Sequence, residues 1–295
     1  MKLIRMTDDP VLEPIEEHDW EKSAVFNAAL VYHNDLFHMI YRATDIGGSE
    51  KYGRYINSLG YAVSSDMLNW QRLEHPILIN DVEQEARGPE DPRIVKIEDK
   101  FYMTYTGFKG QERNDYRICL ATSTNLVSWE RHGVVLDEPN KDAAIFPQKI
   151  DGLYWLLHRR SPDIWIAYSN DLKEWTGHQR IVATRPGKWD SIRIGIAGPP
   201  LLIDKGWLLI YHGVDANHIY RLGALLLDRN DPTKLIAQHD SPILEPELEW
   251  EKSGYIPNVI FSCGAVIRNG QLYCCYGGAD TVIGIAKIAV KDIKF

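Results

Sequence analysis

Apolar and polar positions in this chain alternate in short runs instead of recurring every three or four residues, the pattern of strands and not of helices. Five times an apolar run leads through a turn dipeptide into a second run. The copies begin at Asn27, Asp91, Ala144, Ala197 and Ser262, and the second runs open ten positions on, at Phe37, Phe101, Tyr154, Trp207 and Leu272. Between them stand Asn34-Asp35, Glu98-Asp99, Asp151-Gly152, Lys205-Gly206 and Asn269-Gly270, dipeptides that favour β-hairpins. A third run follows each hairpin, and in the first three copies it closes on Ser64–Trp70, Ser123–Trp129 and Ser169–Trp175. A hairpin plus one strand, repeated five times, predicts an all-β chain folded as a five-bladed β-propeller. No Gly-, Ser- or Pro-rich linker interrupts it, so one domain over residues 1–295 is expected. The segments Pro10–Pro14 and Pro242–Pro246 echo each other and are candidates for outer strands or ring closure.

Composition narrows the function classes. A net charge of −8 with no basic run argues against nucleic acid as a partner. No apolar stretch approaches the roughly 20 residues that span a bilayer, and the first residues lack the apolar core of a signal peptide. A cytoplasmic protein without a membrane partner is therefore expected. Cys119, Cys263, Cys274 and Cys275 show no metal-ligand spacing and read as buried thiols. No metal or cofactor is predicted, and the oligomeric state is left open, a homo-oligomer included.

The densest chemistry lies in Arg87-Gly88-Pro89-Glu90-Asp91-Pro92-Arg93-Ile94. Proline fixes its own backbone and restricts the residue before it, so Asp91 is expected extended at the start of a strand, its carboxylate presented. A local ion pair with Arg93 is the plainer reading. Across the repeat, polar residues recur at strand starts and at strand ends (Arg42, Thr106, Arg159, His212, Gly277). Buried charge without a partner is costly, so their convergence implies a ligand or one another. Asp45, Asp215 and Asp280 form a second echo; a turn cap explains the first two as well as a function does. Asp280 follows two glycines and is the better functional candidate. Lys141, Lys149, Arg159 and Arg160 cluster in the third repeat, one or two of them simply solvated. Lys141 and Arg159, joined by His212, suit an anionic reactant such as phosphate.

These residues carry a family resemblance. The run Gly88–Ile94, Tyr41-Arg42, Asp142–Lys149 with His158-Arg159, and Tyr211-His212-Gly213 resemble glycoside hydrolase family 130 across all five repeats. Members are five-bladed propellers, mostly inverting β-mannoside phosphorylases with some β-mannosidases. The short length is similar to the branch acting on β-1,2-linked mannosides. The resemblance implies that Asp91 is the general acid, acting through the 3-hydroxyl of the mannosyl unit. It also implies that Asn27, Arg42, Glu90 and Asp280 hold the mannoside, with Arg193 nearby. Lys141, Arg159, His212 and Tyr220 would bind inorganic phosphate, a co-substrate and not a cofactor. Lys141 stands where some relatives have arginine, which keeps the charge and loses the bidentate fork.

An inverting glycosidase needs an acid and a base, whereas phosphate is already an anionic nucleophile. One framed acid and several basic residues favour phosphorolysis. The rivals are a β-mannosidase, with Asp45, Asp215 or Asp280 activating water, and a propeller lectin. A lectin would repeat one pocket per blade, whereas here each blade contributes a different polar residue. Linkage and acceptor choice are expected to rest on loops such as 46–54 and 107–116.

Overall fold

Each repeat folds into one antiparallel sheet whose first strand lies innermost. A computed structural model of the chain describes residues 1–45, 55–112 and 114–295, and these form five sheets packed blade against blade as a β-propeller. The inner strands are Ala24–His33, Pro89–Ile97, Lys141–Ile145, Arg193–Ile196 and Ile260–Arg268. Among the described residues the one α-helix is Glu249–Lys252, and no helix is long and apolar enough to cross a membrane. The loop 46–54, expected at the channel mouth, lies outside the described residues.

The first strand of the chain closes the ring. Ile4–Arg5 pairs with Val282–Ala289 as the outermost strand of blade five. Pro10–Pro14 and Pro242–Pro246 do serve as edge segments: Leu12 bridges Ile283 in blade five and Leu244 bridges Leu222 in blade four. A third copy, Pro76-Ile77-Leu78, bridges Leu59 in blade one. The closing motif of the third runs is a side-chain-capped turn. Ser64 Oγ accepts from the Met67 amide, Asp66 Oδ1 accepts from Leu68 and Asn69, and the Trp70 indole donates to the Met67 carbonyl. Ser123–Trp129 repeats that set, and Ser169–Trp175 its amide bonds.

Two details depart from the sequence reading. The blade-four hairpin turns at Asp204-Lys205, one residue earlier than expected, because Ile203 pairs with Gly206. More consequentially, the fixed ten-residue offset misplaces blade three. Sixteen residues separate the paired positions Phe26 and Arg42, Glu90 and Thr106, and Phe261 and Gly277, but eighteen separate Lys141 from Arg159. The longer hairpin puts Asp142, not Ala144, in the place of Asn27 and Asp91. Blade four runs without this irregularity from Arg193 to Ile196, so Ala197 has no such role either.

A buried polar brace recurs at four blades. The tyrosine that precedes the strand-end position (Tyr41, Tyr105, Tyr211, Tyr276) donates its hydroxyl to a buried carboxylate just ahead of the inner strand. Those carboxylates, Glu21, Glu85, Asp190 and Glu251, each also take an arginine: Arg72, Arg131, Arg185 and Arg5. Burying a carboxylate demands such partners. Gly60, opposite Tyr41, leaves room for the ring; a Cβ there would overlap it. All four cysteines are free and buried.

Candidate active site

The site grows from a backbone irregularity. In blades one, two and three the inner strand bulges at Asn27, Asp91 and Asp142, whose φ values are 49°, 52° and 55°. A left-handed conformation is unfavourable for residues other than glycine, though Asn and Asp tolerate it best. Three such residues at equivalent places signal a selected geometry. Asp91 is therefore the third residue of its strand and not extended, as its place before Pro92 had suggested. The bulge overrides the local preference.

Asp91 Oδ1 accepts from Asn27 Nδ2 at 2.8 Å and from Arg42 Nη1 at 3.2 Å. Among the described residues its Oδ2 makes no hydrogen bond. Burial pushes the Asp91 carboxyl up, but Arg42, Lys141 and Arg93 outweigh it and hold the group below the usual range. The expected pair between Asp91 and Arg93 side chains does not form. Arg93 donates instead to the Asp91 carbonyl, to Asp142 Oδ1, and to the carbonyls of Ile196 and Ala197. It is a buried brace across the channel.

Glu90 sits behind this layer. Its Oε1 accepts from Arg42 Nη2 and Asn57 Nδ2, both at 3.0 Å, and its Oε2 from Lys141 Nζ at 2.8 Å. Glu90 thus aims Arg42 and Lys141 but does not line the cavity. For Lys141, burial lowers the ammonium while Glu90 and Asp91 more than restore it, so the side chain stays charged.

The opposite wall is basic. Arg159 Nη1 lies 2.6 Å from Asp142 Oδ2, and Arg193 donates to the Tyr220 hydroxyl. Burial raises the Asp142 carboxyl, but the Arg159 and Arg93 guanidinium groups hold it well below the usual carboxylate range. His212 is fully buried behind Arg159, its Nε2 3.4 Å from Asp142 Oδ2, and its ring packs on Phe261 and Tyr220. Burial drives it down to about 3, so it is neutral, and it lies behind the residues that line the cavity. A Cβ at Gly195 would overlap Asp142 Oδ2 and His212 Cε1.

These two walls enclose a cavity of about 560 Å³, the scale of a small-ligand site. Asn27, Arg42, Asp91 and Asp280 line its acidic side; Lys141, Arg159, Arg193 and Tyr220 line the basic side. Eight of the ten residues expected at the site line the cavity, and Glu90 and His212 lie one layer behind it. Sequence reasoning missed Asp142, and it missed Tyr55, Tyr116, His218, Tyr255 and Phe261, which also line the cavity. Asp142 was legible in the Asp-Ala-Ala run once the longer hairpin is allowed for; the aromatic residues carry no signal that separates them from packing.

Of the three echoed aspartates, Asp280 alone lines the cavity among the described residues. Burial, helped by Asp91 and Glu90 and opposed by Arg42 and Lys141, pushes its carboxyl up to about 7. Asp215 caps its own turn, accepting from the amides of Asn217 and Ile219 and from Arg221. Asp45 accepts from the Ile56 amide. Lys149 lies over the Tyr154 ring and Arg160 pairs with Glu138.

The geometry has counterparts in known proteins. The chain is 61% identical over 295 residues to a 1,2-beta-oligomannan phosphorylase of Thermoanaerobacter sp. (strain X514), covering all of both chains. It is 53% identical over 301 residues to a beta-1,2-mannobiose phosphorylase of the same organism, covering 100% of this chain and 99% of the other. Among solved structures, a beta-1,2-mannobiose phosphorylase from Listeria innocua in complex with beta-1,2-mannobiose superposes with a TM-score of 0.91 at 27% identity, covering 99% of this chain and 98% of the other. The glycoside hydrolase family 130 model, described as beta-1,4-mannooligosaccharide phosphorylase, matches residues 3–294. The chain belongs to glycoside hydrolase family 130.

Proposed function

We propose that this protein is an inverting β-1,2-mannoside phosphorylase, moving a terminal β-mannosyl unit from β-1,2-mannobiose or a longer oligomannan to inorganic phosphate. The products are α-mannose 1-phosphate and a shortened acceptor. The observation that carries the reading is one cavity lined both by the Asp91 carboxylate and by the cations Lys141, Arg159 and Arg193. The names of the two Thermoanaerobacter relatives support the phosphorylase activity and the linkage.

In this reading Asn27, Arg42 and Asp280 hold the mannosyl unit, and Lys141, Arg159, Arg193 and Tyr220 hold phosphate. A phosphate oxygen forms the new bond to C1 from the face opposite the leaving oxygen. The C1–O bond to the acceptor breaks, and Asp91 supplies the proton that the leaving oxygen takes up, by way of the mannosyl 3-hydroxyl. Fixed cations hold the nucleophile in line, so no general base is needed. Arg42, Lys141 and Arg93 hold the Asp91 carboxyl below its usual range. A phosphate dianion offsets that positive field and raises the Asp91 carboxyl, which favours the protonated acid when the nucleophile is present.

The test is to incubate the enzyme with β-1,2-mannobiose, with and without phosphate. Phosphate-dependent mannose 1-phosphate is expected. Equal release of free mannose without phosphate would make the enzyme a hydrolase. The observation favouring that second reading is Asp280, a cavity carboxyl pushed up to about 7, where a general base works best.

A further inference from the structure

Blade three lacks the brace found in the other four. At the place of the tyrosines stands His158, and ahead of the inner strand, where the others bury Glu or Asp, stands Asn140. Both are almost wholly buried, at 0% and 1% exposure. Asn140 Nδ2 donates to His158 Nδ1 at 2.8 Å and to Glu138 Oε1 at 2.9 Å. His158 Nε2 lies 3.0 Å from His178 Nδ1, and His178 Nε2 lies 3.2 Å from the Trp175 carbonyl. With Asn140 donating at one end and a carbonyl accepting at the other, each histidine carries its proton on Nε2. Burial, reinforced by His178 and Arg160, drives His158 down to about 3, so this relay is uncharged.

The exchange falls beside the two cations of the basic wall. Asn140 is the chain neighbour of Lys141, and His158 of Arg159; Lys141 and Arg159 face each other across the strand pair. Asn140 Oδ1 also accepts the Arg159 amide at 3.1 Å. A carboxylate here, as in the other blades, would add a buried negative charge one residue from Lys141 and at the Arg159 backbone, beyond the Glu90 and Asp142 that already pair with those cations, and would further oppose an incoming anion.

We propose that Asn140, held by the His158–His178 relay, is a positioning residue of the anion pocket: it anchors the Arg159 backbone and, as an amide where four blades bury a carboxylate, adds no further negative charge beside Lys141 and Arg159, which already pair with Glu90 and Asp142. The inference rests on the phosphorylase reading. Asn140 touches no reactant; it acts through its two neighbours.

The experiment measures phosphate binding to the free enzyme by calorimetry, and KM for phosphate and for β-1,2-mannobiose, in Asn140→Asp and Asn140→Ser. Asn140→Asp adds one charge without changing shape and should weaken phosphate about tenfold or more, leaving the mannobiose KM within about twofold. Asn140→Ser adds no charge but drops the relay bond, and should weaken phosphate about threefold. It also decides the matter if the aspartate variant does not fold. A folded variant of either kind with wild-type phosphate affinity, or one that raises both KM values equally, overturns the inference. Wild-type enzyme that binds no phosphate would overturn the phosphorylase reading itself, a separate outcome read in the same titration.

Discussion

Asp91 and Asp142 occupy the same bulge in adjacent blades, with the same left-handed backbone, and both are buried carboxylates held below their usual range. They differ in what surrounds them. Asp142 is tied by Arg93, Arg159 and His212 and belongs to the basic wall it organises. Asp91 is bonded through one oxygen to Asn27 and Arg42, while its second oxygen is left to the cavity. One backbone device thus delivers a carboxylate open to the cavity in blade two and a structural counter-charge in blade three. The neighbours, not the bulge, assign the role.

Substituting each by its amide is the sharpest way to break the comparison. Asp91→Asn should lower turnover of β-1,2-mannobiose by about a hundred- to ten-thousandfold, with little change in melting temperature, since Arg42 keeps Glu90. Asp142→Asn should instead destabilise the fold by about 3 kcal/mol, because it leaves Arg93 and Arg159 buried with a partner removed. Urea titration reads that loss, and a raised phosphate KM should accompany it. If Asp91→Asn proves the more destabilising of the two, the contrast drawn between them is wrong.

A smaller perturbation reaches only the basic side. Gly195→Ala presses a methyl against Asp142 and His212 and should cost about 1–3 kcal/mol. Its kinetic effect should fall on the phosphate KM and spare the mannobiose KM. Equal effects on both would show that the two walls do not act separately.

The mildest test uses pH on the acidic side. Asp280 is raised from 3.8 to about 7 in the folded chain, so between those values the folded state holds a proton that the unfolded state has lost. Stability from this group is therefore lost as pH rises from about 4 to about 7. Asp280→Asn removes the titration. Relative to wild type, the variant should gain stability across that window and stay level above it, as read from urea midpoints at pH 5 and pH 8. A constant difference between the two pH values would remove Asp280 from the set of half-buried, charge-coupled groups.

Much of this molecule was legible from residue order. Hairpin dipeptides and the Ser-x-Asp/Asn turns are local, so their periodicity revealed five blades, and the Asp-Pro-Arg stretch marked a carboxylate that lines the cavity. Pairing register is not local. A hairpin two residues longer in blade three hid Asp142 behind Ala144, and only the strand partners of Lys141 and Arg159 exposed the slip. Layering is not local either: Glu90 and His212 carry the right chemistry for a binding wall, yet packing puts them behind it. The sequence by itself determined the repeat, the turns and the residue types that meet at the channel. Tertiary structure alone decided which of them face the cavity and which hold the others, because charge balance and burial depend on neighbours from three or four different blades.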